Sequence, residues 1–160
     1  TCREAAALGG IKVLAWAHDN DCQWDESVCA GAASGNQLDT LIWLREGQAP
    51  SDPPCPWDQA TCEEAAACGN IEMLVWARGH GCPWSERACA AAARSGELRA
   101  LIWLHDHGCP CDESTCVEAA KSEQTARCLQ WAVANGCPGS ERYLGAAVTH
   151  STAGPGGDAK

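Results

Sequence analysis

The sequence predicts an all-α fold, an α-solenoid in which short helix–turn–helix repeats stack side by side with no β-hairpin fingers. Three observations lead there. Residues 55–81, CPWDQATCEEAAACGNIEMLVWARGHG, align without gaps on residues 82–108, CPWSERACAAAARSGELRALIWLHDHG. Both stretches open Cys-Pro-Trp, carry a second Cys at place 8 and a Trp at place 22, and close on Gly. The same landmarks recur along the chain, and self-similarity at a fixed period is the signature of a repeat array.

The opening Cys is Cys22, Cys55, Cys82, Cys109 and Cys137, at spacings of 33, 27, 27 and 28 residues. The second Cys is Cys2, Cys29, Cys62, Cys89 and Cys116, and then Leu144 takes its place. An opening Trp stands at Trp24, Trp57 and Trp84, and gives way to Cys111 and Gly139 in the last copies. A second Trp recurs at Trp16, Trp43, Trp76, Trp103 and Trp131. All eight Trp and ten of the thirteen Cys fall on these places, so the lopsided aromatic content reflects a copied unit. Units are expected near 1–21, 22–54, 55–81, 82–108, 109–136 and 137–150, forming a single domain over 1–150. The tail 151–160, STAGPGGDAK in full with its first residues, has no apolar core to offer and reads as disordered.

Each unit reads as two short helices. Asp25, Asp58, Ser85, Asp112 and Ser140 are placed to cap the first helix. Glu26, Glu86, Glu113 and Glu141 follow, where a carboxylate suits the positive end of the helix dipole. The second Cys and an Ala pair three and four residues on, as in Cys62, Ala65 and Ala66, share one face. Gly69 and Gly96 end this helix, and Asn36 takes the same role one copy earlier. The second helix carries Ile71, Leu74, Trp76 and Ala77 in one copy and Leu98, Leu101, Trp103 and Leu104 in the next, all read as core. His18, Arg78 and His105 sit in its last turn, where cations suit the dipole, and Gly81, Gly108 and Gly136 close it. Small residues on first helices and bulky ones on second helices predict a curved stack with the first helices inside.

Several stretches break the pattern. QAPSDPP, between Gly47 and Cys55, reads as a proline-rich loop projecting from one edge. In the copy from Cys109, Glu123 replaces the Gly, one residue is added and Ala126 replaces a large aliphatic, which predicts poorer packing. Thr1 is expected to enter mid-helix with no cap before it, as a processed product or fragment, and the last copy to stop after its first helix.

From the Ala doublet onward the unit resembles an ankyrin repeat. Ala65-Ala66, then Gly69-Asn-Ile-Glu-Met-Leu-Val-Trp-Ala and on to Gly81, is similar to the family core A-A-x-x-G-x-x-x-x-V-x-x-L-L-x-x-G. The T-P-L-H start is replaced by Thr61-Cys62 or Ala88-Cys89, and the unit lacks the residues from which ankyrins build their hairpin finger. The match is to the short Cys-Pro-Trp variant of algae, other protists and large DNA viruses, and covers about residues 1–148. The resemblance implies protein binding and names no target.

The net charge of −10 and the absence of Lys/Arg clusters argue against nucleic acid and anionic membranes. No apolar run reaches the roughly 18 residues of a spanning helix, and no signal or transit peptide is in view. The Cys-x6-Cys spacing is not that of a structural zinc site, and no His completes one. Equivalent Cys in stacked units should lie about 8–10 Å apart, too far for a disulfide ladder. A bridge inside one unit, such as Cys55 to Cys62, stays open beside the favoured reading of small buried thiols. Cys109-Pro-Cys111 with Cys116 is the one local cluster and the place to look for an exception. No phosphate loop, zinc-protease motif or nucleophile with a placed base appears, so neither enzyme nor cofactor is expected.

The expected function is a non-catalytic interaction scaffold binding a protein partner through its first helices. The candidate contact residues turn away from the core face: Arg3, Glu4, Glu63, Glu64, Arg87, Arg94, Glu118 and Lys121. One alternative is a structural linker subunit fixed in a large assembly, such as an algal photosynthetic complex. Another is a Cys-based redox or metal-binding protein. Cys without a disulfide pattern favours a reducing soluble compartment, cytoplasm or organelle stroma.

Overall fold

The computed structural model describes residues 1–47 and 53–145. Its helices are α1 Cys2–Ala7, α2 Ile11–Asp19, α3 Glu26–Ser34, α4 Leu38–Glu46, α5 Gln59–Ala67, α6 Ile71–Gly79, α7 Glu86–Ser95, α8 Leu98–Asp106, α9 Glu113–Ala119 and α10 Ala126–Ala134. Two 3-10 turns, Glu123–Thr125 and Ser140–Tyr143, complete it, and no strand occurs among the described residues. Most of the QAPSDPP insertion, residues 48–52, and the whole tail 151–160 lie outside the described residues.

The first helices begin where the caps predict. The side chains of Asp25, Asp58, Ser85 and Asp112 accept from the backbone N–H groups of Ser27, Ala60, Arg87 and Ser114. Each such cap contributes about 1 kcal/mol by satisfying a donor the helix itself leaves unpaired. The ends also follow expectation: Gly96 closes α7 at φ +76° and Asn36 follows α3 at φ +58°. Two caps differ from expectation. Thr1 caps α1, with its hydroxyl accepting from the Glu4 N–H at 3.4 Å. Ser140 is not a cap; it lies inside a 3-10 turn preceded by Gly139 at φ +79°.

The odd-numbered helices α1, α3, α5, α7 and α9 form one row, each packed along the next, and each even-numbered helix lies against the first helix of its own unit. Neighbouring second helices meet at far fewer points. Small residues permit the close row: a Cβ on Gly31 would stand 2.5 Å from the Arg3 carbonyl oxygen, and one on Gly35 1.9 Å from that of Ala7. The interior is built as the periodicity predicts, with Cys62, Ala65 and Ala66 of α5 buried against Met73, Leu74 and Ala77 of α6. Cys89, Ala92 and Ala93 meet Leu101 and Leu104 in the same way.

The second-helix Trp series packs at the edge of the core: Trp43, Trp76, Trp103 and Trp131 lie against the buried cluster, and Trp16 does not. Trp16 is 67% exposed, and Trp43, Trp76, Trp103 and Trp131 are half-buried. Residues two apart do not share a helix face, so once Leu74 takes the interior, Trp76 turns toward the rim. The irregular fifth unit has a shortened α9, and the break is closed by Thr125. Its buried hydroxyl donates to the Ala119 carbonyl at 2.6 Å.

Candidate functional site

The predicted contact residues do lie on the first-helix row, but they make a strip rather than one site. Arg3 on α1 reaches Glu64 on α5 at 3.9 Å, spanning two units. The two line a shallow cleft of about 300 Å³ with Asp25, Glu26 and Asp58. Glu63 and Arg87 border a second cleft of about 310 Å³ between α5 and α7, with Trp57, Asp58 and Pro83. Glu4 bonds the terminal amine at 2.7 Å, which holds its carboxyl below the ordinary range. Glu118 and Lys121 pair at 2.6 Å beside α9. The exposed Arg3–Glu64 pair contributes about 0–1 kcal/mol and leaves both side chains free to exchange partners. Arg87 and Arg94, both exposed on α7, have no ion-pair partner among the described residues.

A second set of residues, the last-turn cations and imidazoles with the opening Trp of the next unit, meets at the unit boundaries. Arg78, in the last turn of α6, places its guanidinium 4.0 Å over the ring of Trp84 in the next unit. It also donates to the Cys82 carbonyl at 2.5 Å. Arg45 does the same to Trp57, at 4.0 Å, and to the Cys55 carbonyl, at 2.6 Å. His18 stacks on Trp24 with ring centroids 4.4 Å apart. Within each unit the opening Trp meets the second-helix Trp edge-on: Trp24 with Trp43, Trp57 with Trp76 and Trp84 with Trp103. A guanidinium or an imidazole at the end of one unit thus closes over the first indole of the next. The signal was available: His18 to Trp24 and Arg78 to Trp84 share a spacing of six residues. His105 and Cys111 occupy the same two places at the last seam.

The thiols are arranged across unit boundaries. Three of the five opening Cys tuck beneath the preceding first helix: the Cys55, Cys82 and Cys109 thiols donate to the carbonyls of Asp25, Asp58 and Ser85 at 3.8, 3.5 and 3.3 Å. Those carbonyls belong to the cap, one helical turn before the second Cys of that unit. The opening Cys therefore meets the second Cys of the unit before it. Cys2 and Cys22 Sγ lie 2.6 Å apart, the Cys29 thiol donates to the Cys55 carbonyl at 3.8 Å, and Cys62 and Cys82 are buried in the same cluster. This corrects the within-unit pairing of Cys55 with Cys62 considered from sequence. The comparison of equivalent Cys missed it, because the partners are not equivalent places. Hydrogen bonding to Cys55, with burial, pushes the Cys29 thiol up. Burial pushes Cys128 up to about 11 and Cys137 up to about 12. All thirteen Cys are free thiols, and no group of three or more ligands is arranged for a metal among the described residues.

No family model matches the chain, and no curated protein or solved structure matches it significantly. No described helix is long and apolar enough to cross a membrane.

Proposed function

We propose that the chain is a non-catalytic protein–protein interaction module, an α-solenoid of ankyrin-like repeats that takes a protein partner on its first-helix face. The observation that supports this most is the continuous row of α1, α3, α5, α7 and α9 with charged side chains along it and two guanidiniums, Arg87 and Arg94, with no ion-pair partner among the described residues. Guanidinium groups suit the carboxylates of a partner chain because their donors form a planar fork. Acidic neighbours such as Glu63 beside Arg87 make the strip mixed in sign, which fits a protein better than a polyanion. The resemblance of the unit to ankyrin repeats points the same way.

The test is site-specific photo-crosslinking with the full chain in extract of its native source. Adducts to a defined protein should form from positions 63 and 94 and not from Arg99, which is exposed on the second helix α8. The double reversal Arg87→Glu with Arg94→Glu should reduce those adducts about tenfold. Equal or stronger adducts from position 99 would remove the first-helix face as the binding surface.

One observation favours the linker reading instead. Leu8, Val13 and Trp16 in the first unit are 83%, 57% and 67% exposed, apolar surface that a fixed neighbour would cover. If the isolated chain self-associates in light scattering and Val13→Glu with Trp16→Arg makes it monomeric, the linker role gains over the adaptor.

A further inference from the structure

The seam before the fifth unit differs from the others in having a thiol where they have an indole. Cys111 stands at the place of Trp24, Trp57 and Trp84. Its Sγ lies 3.0 Å from Sγ of Cys89 on α7. Cys89 is fully buried and Cys111 half-buried, so the pair has one inner and one outward member. Cys109, buried with its thiol on the Ser85 carbonyl at 3.3 Å, belongs to the same buried cluster as Cys89, so this seam has a third thiol where the seam before it has an indole.

We propose that Cys111 and Cys89 form a thiol–disulfide exchange site, in which Cys111 attacks a small disulfide of the glutathione class and Cys89 resolves the adduct. The Cys111 thiolate forms a bond to one sulfur of the oxidised glutathione, and the S–S bond of that molecule breaks to release one glutathione thiolate. Cys89 then attacks Cys111 Sγ, and the second glutathione thiolate leaves. Two protein thiols are oxidised, one small disulfide is reduced to two thiols, and the protons lost by Cys89 and Cys111 end on the two glutathiones. Closing the bond requires the sulfurs to approach by about 1 Å, since a disulfide spans about 2.05 Å.

The surroundings suit an attacking thiolate. The hydrogen bond with Cys89, and then the nearby His105, hold Cys111 down to about 7 against the pull of burial. Cys89 from α7, His105 from α8, Cys137 beyond α10 and Cys116 on α9 are the titratable groups that face it. A thiol whose value lies near ambient pH combines thiolate fraction with nucleophilicity. The other touching pair with partial exposure, Cys2 and Cys22, is different: the hydrogen bond to Cys22 and burial push Cys2 up.

The full chain treated with oxidised glutathione at pH 7, quenched by alkylation and mapped by mass spectrometry, tests this. A Cys89–Cys111 cross-linked peptide should appear about tenfold faster than any adduct on the exposed Cys68. Cys89→Ala should trap the glutathione adduct on Cys111, and Cys111→Ser should abolish the cross-link while circular dichroism shows both variants helical. The wild-type map decides the matter even if a variant fails to fold. A stable adduct on Cys111 with Cys89 still alkylated, a Cys109–Cys111 bridge, or reaction at Cys111 no faster than at Cys68 would each overturn the proposal.

Discussion

At the seam between α6 and the unit that opens at Cys82, a guanidinium covers an indole: Arg78 lies 4.0 Å from the centre of the Trp84 ring. At the seam between α8 and the unit that opens at Cys109, the same two places hold His105 and Cys111. His105 turns instead to the edge of Trp131, with ring centroids 5.2 Å apart. Both seams keep the same sulfur contact beneath, an opening Cys bonded to the cap carbonyl of the preceding first helix. The backbone arrangement of a seam therefore depends on the thiol and the cap, while the cation and indole form a lid over it. Where the indole is replaced, Cys89 and Cys109 stay buried beneath and the partly exposed thiol is Cys111, at the place of the lid itself.

Removing the lid where it exists should have the largest effect. Trp84→Ala should lower unfolding free energy by about 2–3 kcal/mol in urea denaturation, less than for a fully buried Trp because the ring sits at the rim. Cys111→Ala at the equivalent place should cost under about 1 kcal/mol. Equal losses at the two positions would show that the seams do not differ in the way described.

Arg78→Ala should cost about 2 kcal/mol, since a charge-assisted hydrogen bond and a cation–π contact are lost together. Arg78→Lys should recover no more than about half of that, because an ammonium cannot stack flat and bond the Cys82 carbonyl at once. Full rescue by Lys would mean that charge alone matters there. Installing the lid at the other seam is the converse experiment. Cys111→Trp should raise stability by about 1 kcal/mol through contact with His105 and Trp131, which stand at the places that cover the opening Trp in other units. A destabilised variant would show that the seam has relaxed around the smaller residue.

The smallest effect concerns pH. Alkylation of Cys111 should have its midpoint near pH 7, the value to which Cys89 and His105 lower it. Because the folded value lies below the ordinary thiol value of 9.0, Cys111 adds stability that is complete above pH 9 and is lost as pH falls through about 7. Cys128 acts in the opposite direction: raised to about 11 by burial, it contributes stability below pH 9 that is lost as pH rises toward 11. Cys128→Ala should flatten the alkaline limb of a pH–stability curve and leave the neutral limb unchanged.

Much of the fold was legible locally. Caps at Asp25, Asp58, Ser85 and Asp112, left-handed closures at Asn36 and Gly96, and the buried run Cys62, Ala65 and Ala66 all follow from side-chain chemistry within a few residues. The departures at Thr1 and Ser140 fall where a residue's role depends on the turn it enters rather than on its own cap chemistry. The candidate strip was legible as residues but not as geometry: that Arg3 reaches Glu64, two units away, depends on how closely α1, α3 and α5 pack.

The sequence by itself determined the repeated helix pair, its boundaries and its apolar faces, because caps, glycines and periodicity act over one or two turns of chain. Which side chains meet across a unit boundary was decided only by the tertiary structure. Cys29 finds Cys55, Cys62 finds Cys82, and Arg78 finds Trp84 because stacking sets the offset between neighbouring units, and no residue within a single copy encodes that offset.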